Sequence, residues 1–138
     1  MNRTKLEKLL VDDEGRKTHL YQDTRKVWTI GIGYNIQARG LPDDIIDMLF
    51  DRTVTEAMRE CVDNVPGFRT LDDTRQHVLI SMVFQMGLAG VLKFHKMLVA
   101  LERRDFDTAA DEMLDSDWAR VQTPARARKL AQMMRDGK

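Results

Sequence analysis

The chain has 138 residues and carries 22 acidic and 22 basic side chains, so its formal net charge at pH 7 is zero. Hydrophobic residues make up 43% and charged residues 32%, which is typical of one compact globular domain with a real core. A neutral chain gives no basis for a function that depends on bulk electrostatic attraction to nucleic acid or to an anionic wall.

The chain begins with a helix and a hairpin. Leucines at helical spacing predict a first helix from about residue 3 to residue 15, which places Glu14 at its carboxyl end. Two strand-like runs follow, at residues 19–22 and 27–34, and residues 23–26 form the turn between them.

Alternation along the second strand puts Thr29 on the same face as Gly31 and Gly33. Because glycine has no side chain, this face is predicted to be open, so that a bulky ligand can approach the backbone closely. The alternative interpretation is a flexible hairpin that tolerates glycine.

From residue 42 onward the pattern is helical. A long apolar stripe predicts a helix over about residues 42–65, which could bridge the hairpin lobe to the rest and which ends at Pro66-Gly67. Asp72 or Asp73, Ser116 and Thr123 are predicted helix caps, and Gly87 is a predicted helix end. Further helices are predicted at residues 78–86, 91–102, 106–114, 117–121 and 124–135.

These elements predict an α+β fold that is mainly helical. We expect a single domain over residues 1–138, with a small β-hairpin lobe at about 14–40, a bridging helix at about 42–65 and a larger helical lobe at about 70–138.

Glu14, Asp23 and Thr29 suit the cleavage of a glycosidic bond. One carboxyl can donate a proton to the leaving oxygen, and the other can orient a water. The dipole of the first helix disfavours a negative charge at Glu14, as suits a general acid. Each residue also has an ordinary interpretation, because Glu14 belongs to a run of three acids, aspartate is common in turns and threonine is common in strands.

Three segments resemble the T4-type phage lysozymes, glycoside hydrolase family 24. LYQDTRKVWTIGIGYN, residues 20–35, resembles the catalytic hairpin, and SMVFQMG, residues 81–87, resembles the central helix. WARVQTPARARKL, residues 118–130, resembles the C-terminal segment. The chain departs from the family in having Tyr34 where a histidine is frequent, a shorter region between residues 40 and 71, and no net positive charge.

The resemblance implies a lysozyme-like fold with an active-site cleft between the two lobes. It implies hydrolysis of the β-1,4 bond between N-acetylmuramic acid and N-acetylglucosamine in peptidoglycan, with inversion. Glu14 matches the general acid, Asp23 the carboxylate that orients the attacking water, and Thr29 the hydroxyl that helps to hold that water. Arg126 matches an arginine that pairs with the catalytic glutamate. Three residues are predicted to contact the substrate: Gln85, Gly33 and Tyr34.

Ordinary interpretations stay open for two of these residues, because Gln85 could satisfy a buried group and Arg126 could be a surface charge. An arginine partner would favour an ionised Glu14 and so oppose the helix dipole. The sequence does not decide between the two effects.

No cofactor or metal is expected, because Cys61 is isolated, which also excludes an internal disulfide, and the three histidines are scattered. The expected partner is peptidoglycan; nucleic-acid binding and stable membrane insertion are not expected, and the protein is expected to be a monomer. No apolar run follows a basic start, so we expect synthesis in the host cytoplasm and action on the cell wall after release. Release would then depend on a holin, as the resemblance implies.

Two other functions stay open. One is a catalytically silent peptidoglycan-binding or phage structural module on the same scaffold. The other is a nucleic-acid-binding helical domain, which rests only on the six basic residues between residues 120 and 138.

Overall fold

The computed structural model describes all 138 residues, and most of them are helical. It contains one antiparallel sheet of two strands, β1 and β2. The elements in chain order are α1 (Arg3–Glu14), β1 (Lys17–Gln22), β2 (Trp28–Gly31), α2 (Ile36–Arg39), α3 (Asp43–Asn64), a 3₁₀ turn (Phe68–Thr70), α4 (Asp73–Leu92), α5 (His95–Glu102), α6 (Phe106–Leu114), a π-helical turn (Trp118–Gln122) and α7 (Pro124–Asp136). The predicted α+β class is confirmed.

The chain divides into two compact units, which we call the hairpin unit (Met1–Met48) and the helical unit (Leu49–Lys138). The hairpin unit contains α1, the two strands and α2, and the helical unit contains α4 to α7. The boundary falls inside α3. The single domain and the cleft between two lobes stay predictions.

The first helix lies where the sequence predicts it, and the first strand begins at Lys17, two residues before its predicted start. The side chain of Asn2 caps α1 by accepting a hydrogen bond from the backbone of Lys5 at 3.0 Å. Gly15, with φ +74°, ends the helix directly after Glu14. In the sheet Tyr21 pairs with Thr29, and Gln22 pairs with Trp28.

The second strand is shorter than its sequence pattern predicts. β2 ends at Gly31, and the chain turns back so that Ile30 and Tyr34 exchange two backbone hydrogen bonds of 3.0 Å. Gly31 and Gly33 have φ values of +68° and +65°, which only glycine adopts readily. The prediction of a strand to residue 34 was therefore wrong, because the glycines build a tight turn. The sequence also missed the short helix α2.

The core of the helical unit consists of 22 buried hydrophobic residues between Ala57 and Met134. The central helix α4 contributes Val78, Leu79, Met82 and Val83, as its apolar sequence predicts. Cys61 is fully buried, and burial raises the pKa of its thiol to about 11. It is a small core residue, which confirms the interpretation of its apolar surroundings.

Some helix ends differ from their predictions. Gly87 breaks the helix with φ +79° and ψ 162°, as predicted, but a second helical segment follows across this kink and carries α4 on to Leu92. The helix predicted at 91–102 is interrupted at Phe94, whose ring packs edge to face against Trp118 at 6.2 Å. The segment predicted as a helix at 117–121 is a π-helical turn.

The predicted caps were partly right. Asp72 caps α4, and the hydroxyl of Ser116 accepts from the backbone of Ala119 at 3.2 Å. Pro124 occupies the first turn of α7, but the side chain of Thr123 does not cap this helix.

No single helix is long and apolar enough to cross a membrane. Helices α4 and α5 meet that test only as a pair, and they are bent by 99° at the break between them.

Candidate active site

Glu14 is the last residue of α1, and its side chain lies against the backbone of Gly33. A Cβ atom built on Gly33 would lie 2.6 Å from Oε2 of Glu14, 2.7 Å from its Cδ and 2.9 Å from its Cγ. The residue is exposed, and no side-chain hydrogen bond within the hairpin unit involves its carboxyl. Within this unit the carboxyl is therefore placed by packing and remains available for proton transfer.

Asp23 occupies the turn between the strands, where one of its carboxylate oxygens organises the backbone. Its Oδ1 accepts hydrogen bonds from the backbone N–H groups of Arg25 at 2.8 Å and Val27 at 2.9 Å. The turn also contains Lys26 in a left-handed conformation, with φ +63°. The structure gives no hydrogen bond to the second oxygen, Oδ2, within this turn.

The hydrogen bond from the Val27 N–H is the main reason that the pKa of Asp23 lies below its ordinary value of 3.8. Partial desolvation opposes this effect, whereas the N–H and the positive charge of Arg25 add to it. The side chain of Asp23 is therefore a carboxylate at neutral pH and can accept a proton.

Thr29 is buried, with 4% of its surface exposed, and its hydroxyl donates to the carbonyl of Val27 at 2.9 Å. The same carbonyl accepts the N–H of Asp23 at 3.0 Å. The peptide groups of Val27 thus bind both Asp23 and Thr29. Side-chain patterns could not reveal this role of Val27, because the bonds use its backbone.

The structure contradicts the open face predicted for Thr29, Gly31 and Gly33. Thr29 is covered, and the extended strand ends at Gly31, so that Gly33 lies in the turn beyond it rather than on the same strand face. Gly33 does allow a close approach to its backbone, but the group that approaches within the structure is the side chain of Glu14.

Tyr34 is held by two contacts on the carboxyl side of the turn. Its hydroxyl donates to the carbonyl of Gly40 at 2.7 Å, and the guanidinium carbon of Arg39 lies 4.7 Å from the centre of its ring. Both contacts link Tyr34 to the end of α2. The roles of Tyr34 and Gly33 in substrate binding stay predictions.

Gln85 joins α4 to the segment that leads into α7. Its Nε2 donates to the hydroxyl of Thr123 at 3.1 Å, and its Oε1 accepts from Nε1 of Trp118 at 3.1 Å. Because an indole N–H can only donate, Trp118 determines which end of the amide faces it. Both ends of the Gln85 amide therefore have protein partners, and its role in substrate binding stays a prediction.

Arg126 lies in the first turn of α7 and is bound to α4. Its Nη2 donates to the hydroxyl of Ser81 at 3.0 Å and lies 3.4 Å from the carbonyl of the same residue. Ser81 and Gln85 are one helical turn apart on α4, so two neighbouring side-chain contacts connect α4 to the start of α7. The pairing of Arg126 with Glu14 stays a prediction.

The helical unit also contains a cavity of about 700 Å³ beside Trp118. Its lining carries both signs of charge, from Lys93 and Lys96 and from Glu112 and Asp115. No group of three or more histidine, cysteine, aspartate or glutamate side chains in the structure could hold a metal ion.

The sequence between residues 11 and 134 matches the family described as phage lysozyme. The chain belongs to the phage lysozyme family. The matched range contains the predicted catalytic residues Glu14, Asp23 and Thr29 and the predicted supporting residue Arg126.

Similar proteins extend this result over nearly the whole chain. Probable T4-type lysozyme 1 of Dictyostelium discoideum is 29% identical over 94% of this chain and 92% of its own length. Probable T4-type lysozyme 2 of the same organism is 29% identical over 96% of this chain and 94% of its own length. The pre-baseplate central spike protein Gp5 of Enterobacteria phage T4 is also 29% identical over 94% of this chain, which corresponds to 27% of Gp5. The resemblance to T4-type lysozymes that the motifs indicated is confirmed.

Proposed function

We propose that this member of the phage lysozyme family is a muramidase. It hydrolyses the β-1,4 bond between N-acetylmuramic acid and N-acetylglucosamine in peptidoglycan and inverts the anomeric carbon. Family membership supports a lysozyme. The assignment of residues rests on two carboxyl groups of the hairpin unit. Glu14 is exposed, and Asp23 is an ionised carboxylate of which only Oδ1 accepts hydrogen bonds from the turn.

Glu14 acts as the general acid in this proposal. Its protonated carboxyl donates a proton to the glycosidic oxygen as the bond from that oxygen to the anomeric carbon breaks. The exposed position of the side chain supports this role, because a polymer can reach the carboxyl from solvent.

Asp23 and Thr29 hold the water that attacks the anomeric carbon from the opposite face. Oδ1 of Asp23 is anchored by the turn, which leaves Oδ2 to accept a proton from this water. The hydroxyl of Thr29 donates its own proton to Val27, so its lone pairs can accept a hydrogen bond from the water. The oxygen of the water bonds to carbon, one proton passes to Asp23, and the configuration inverts.

The test of this function is the clearing of a peptidoglycan suspension by Glu14→Gln, followed by turbidity. Loss of the acid is expected to lower the rate by about 10²- to 10⁴-fold. Asp13→Asn is the matched control, since Asp13 is the preceding acid on the same helix, and it is expected to clear like the wild type. Clearing by Glu14→Gln near the wild-type rate would remove Glu14 from the mechanism.

Stereochemistry is tested separately by NMR of the first reducing sugar released. Inversion of a β-linked substrate gives the α-anomer as first product. A β-anomer as first product would exclude inversion and would assign Asp23 a different role.

A second candidate function is a structural or peptidoglycan-binding module without activity. The similarity to part of Gp5, which is named as a baseplate spike protein, favours this alternative. It predicts that the wild-type protein binds to peptidoglycan in a sedimentation assay but does not clear it. Clearing by the wild type would exclude it.

A further inference from the structure

Gly31 and Gly33 lie two residues apart and have similar left-handed φ values of +68° and +65°. Their surroundings differ. A Cβ atom on Gly31 would meet no atom within 4 Å, whereas one on Gly33 would come within 3 Å of three atoms of Glu14. The two glycines therefore share a requirement for positive φ, but only Gly33 contacts the proposed acid.

We infer that Gly33 is a positioning residue for Glu14. The space left by its missing side chain is occupied by the Glu14 carboxyl, and this contact limits the directions in which that carboxyl can point. That this contact matters for catalysis rests on the proposed function, in which Glu14 is the general acid. The contact between Gly33 and Glu14 is independent of that proposal.

The geometry shows which of the two groups would have to move. Gly33 lies in a turn that is closed by two hydrogen bonds of 3.0 Å between Ile30 and Tyr34, so its backbone is restrained. Glu14 is exposed, and its carboxyl has no hydrogen bond within the hairpin unit to hold it in place. A side chain on residue 33 would displace Cγ, Cδ and Oε2 of Glu14 together, and would therefore redirect the whole carboxyl.

This role differs measurably from the substrate-binding role that the sequence predicts for Gly33. Loss of a contact that only binds the substrate raises KM and leaves kcat unchanged. Displacement of the acid lowers kcat, because a catalytic group moved by about 1 Å can lose on the order of 100-fold in rate.

The experiment compares Gly33→Ala with Gly31→Ala on soluble peptidoglycan fragments of defined length. Both variants place an alanine at a left-handed φ, so Gly31→Ala controls for the cost of positive φ without a contact to Glu14. We expect kcat of Gly33→Ala to fall by on the order of 100-fold with KM nearly unchanged, and Gly31→Ala to stay close to the wild type. Equal kcat values for the two variants, or a change confined to KM, would overturn the inference.

A second measurement does not depend on activity. The ¹³C chemical shift of the Glu14 side-chain carboxyl, followed through a pH titration, reports the surroundings of this group directly. We expect it to change in Gly33→Ala and to match the wild type in Gly31→Ala, and an unchanged shift in Gly33→Ala would overturn the inference. If the wild type is inactive but the Glu14 chemical shift still changes in Gly33→Ala and not in Gly31→Ala, the proposed function is contradicted and the positioning contact is established.

Should Gly33→Ala fail to fold, the same change is made together with Glu14→Ala, which removes the three contacting atoms. Recovery of the wild-type circular dichroism spectrum in the double variant would support the contact with Glu14 as the reason that Gly33→Ala does not fold. Continued failure to fold in that background would overturn the inference.

Discussion

The hairpin unit and the helical unit are stabilised by different interactions. Thr29 is the one buried residue among residues 1–48, whereas the helical unit buries 22 hydrophobic side chains. The strands and the turn are instead connected by backbone hydrogen bonds and by the carboxylate of Asp23. The proposed acid and the proposed base therefore lie in the unit with little core, where polar groups can stay exposed without a cost in burial.

This difference predicts separate effects of mutation. Changes in the core of the helical unit are expected to lower the free energy of unfolding, and changes in the hairpin unit are expected to alter chemistry with a small effect on stability. Substitutions in each unit test that separation.

Met82→Ala is expected to destabilise the protein by about 2–5 kcal/mol, because it removes a fully buried side chain of α4 and leaves a cavity. The measurement is urea unfolding followed by circular dichroism. Met58→Ala is the control, since Met58 is 48% exposed, and its effect is expected to stay within about 0.5 kcal/mol. Similar decreases in the free energy of unfolding for the two variants would contradict a core centred on α4.

Arg75→Met is expected to cost about 2–3 kcal/mol, because the guanidinium of Arg75 donates to the carbonyls of Met134 at 2.7 Å and Arg135 at 2.9 Å. The group is 13% exposed and lies 3.6 Å from the ring centre of Phe106. It therefore binds the end of α7 to the start of α4. The same unfolding assay measures the loss, with the exposed Arg128→Met as control.

An Arg75→Met variant that unfolds at the same urea concentration as Arg128→Met would show that the end of α7 is held by its apolar face alone. The helical unit would then be stabilised by its hydrophobic core to an even greater extent, and the contrast with the hairpin unit would be sharper.

Gln85→Leu is expected to cost about 1–3 kcal/mol, because it leaves the buried indole N–H of Trp118 without its acceptor. Gln132→Leu on the surface of α7 is the control. Urea unfolding and KM on soluble fragments are measured together. Unchanged stability with a raised KM would contradict a structural role and support the predicted substrate contact.

The smallest effect is expected from the protonation of Asp23. Its pKa in the folded protein lies below the ordinary value of 3.8, so its contribution to the stability of the turn is complete above pH 3.8. That contribution is lost as the pH falls through the lower, folded-state pKa. The protection factor of the Val27 amide against hydrogen exchange, measured between pH 5 and the acid limit of folding, checks this.

In Asp23→Asn the pH dependence of the Val27 protection factor, the exchange rate corrected for its intrinsic pH dependence, is expected to disappear, since the amide side chain does not titrate. An Asp23 carboxyl that titrates in NMR above 3.8 would show that the turn does not stabilise its charge.

Local patterns in the sequence predicted most of the elements. The first helix, the turn at residues 23–26 and the helix at residues 106–114 follow from periodicity, turn residues and caps, which act over a few neighbours. Three segments spread over the chain, at residues 20–35, 81–87 and 118–130, indicated the family, and the match over residues 11–134 confirms it.

The sequence misjudged features that depend on contacts made after the chain turns. Alternation predicted a strand through residue 34, but two glycines with positive φ fold Tyr34 back onto Ile30. The leucines of α1 predicted a helix correctly, yet no residue of that helix is buried. The periodicity of hydrophobic residues specifies which of them share a face of a helix, but it does not specify whether another element packs against that face.

The sequence by itself determined the residue types of the candidate site, an acid at a helix end, an acid in a turn and a threonine in a strand, because each follows from local chemistry. Only the tertiary structure decided how they are held: Val27 binds Asp23 and Thr29 through its peptide groups, Gly33 makes room for Glu14, and Gln85 connects Trp118 to Thr123. These contacts join residues up to 38 positions apart, and their geometry exists only once the elements have packed.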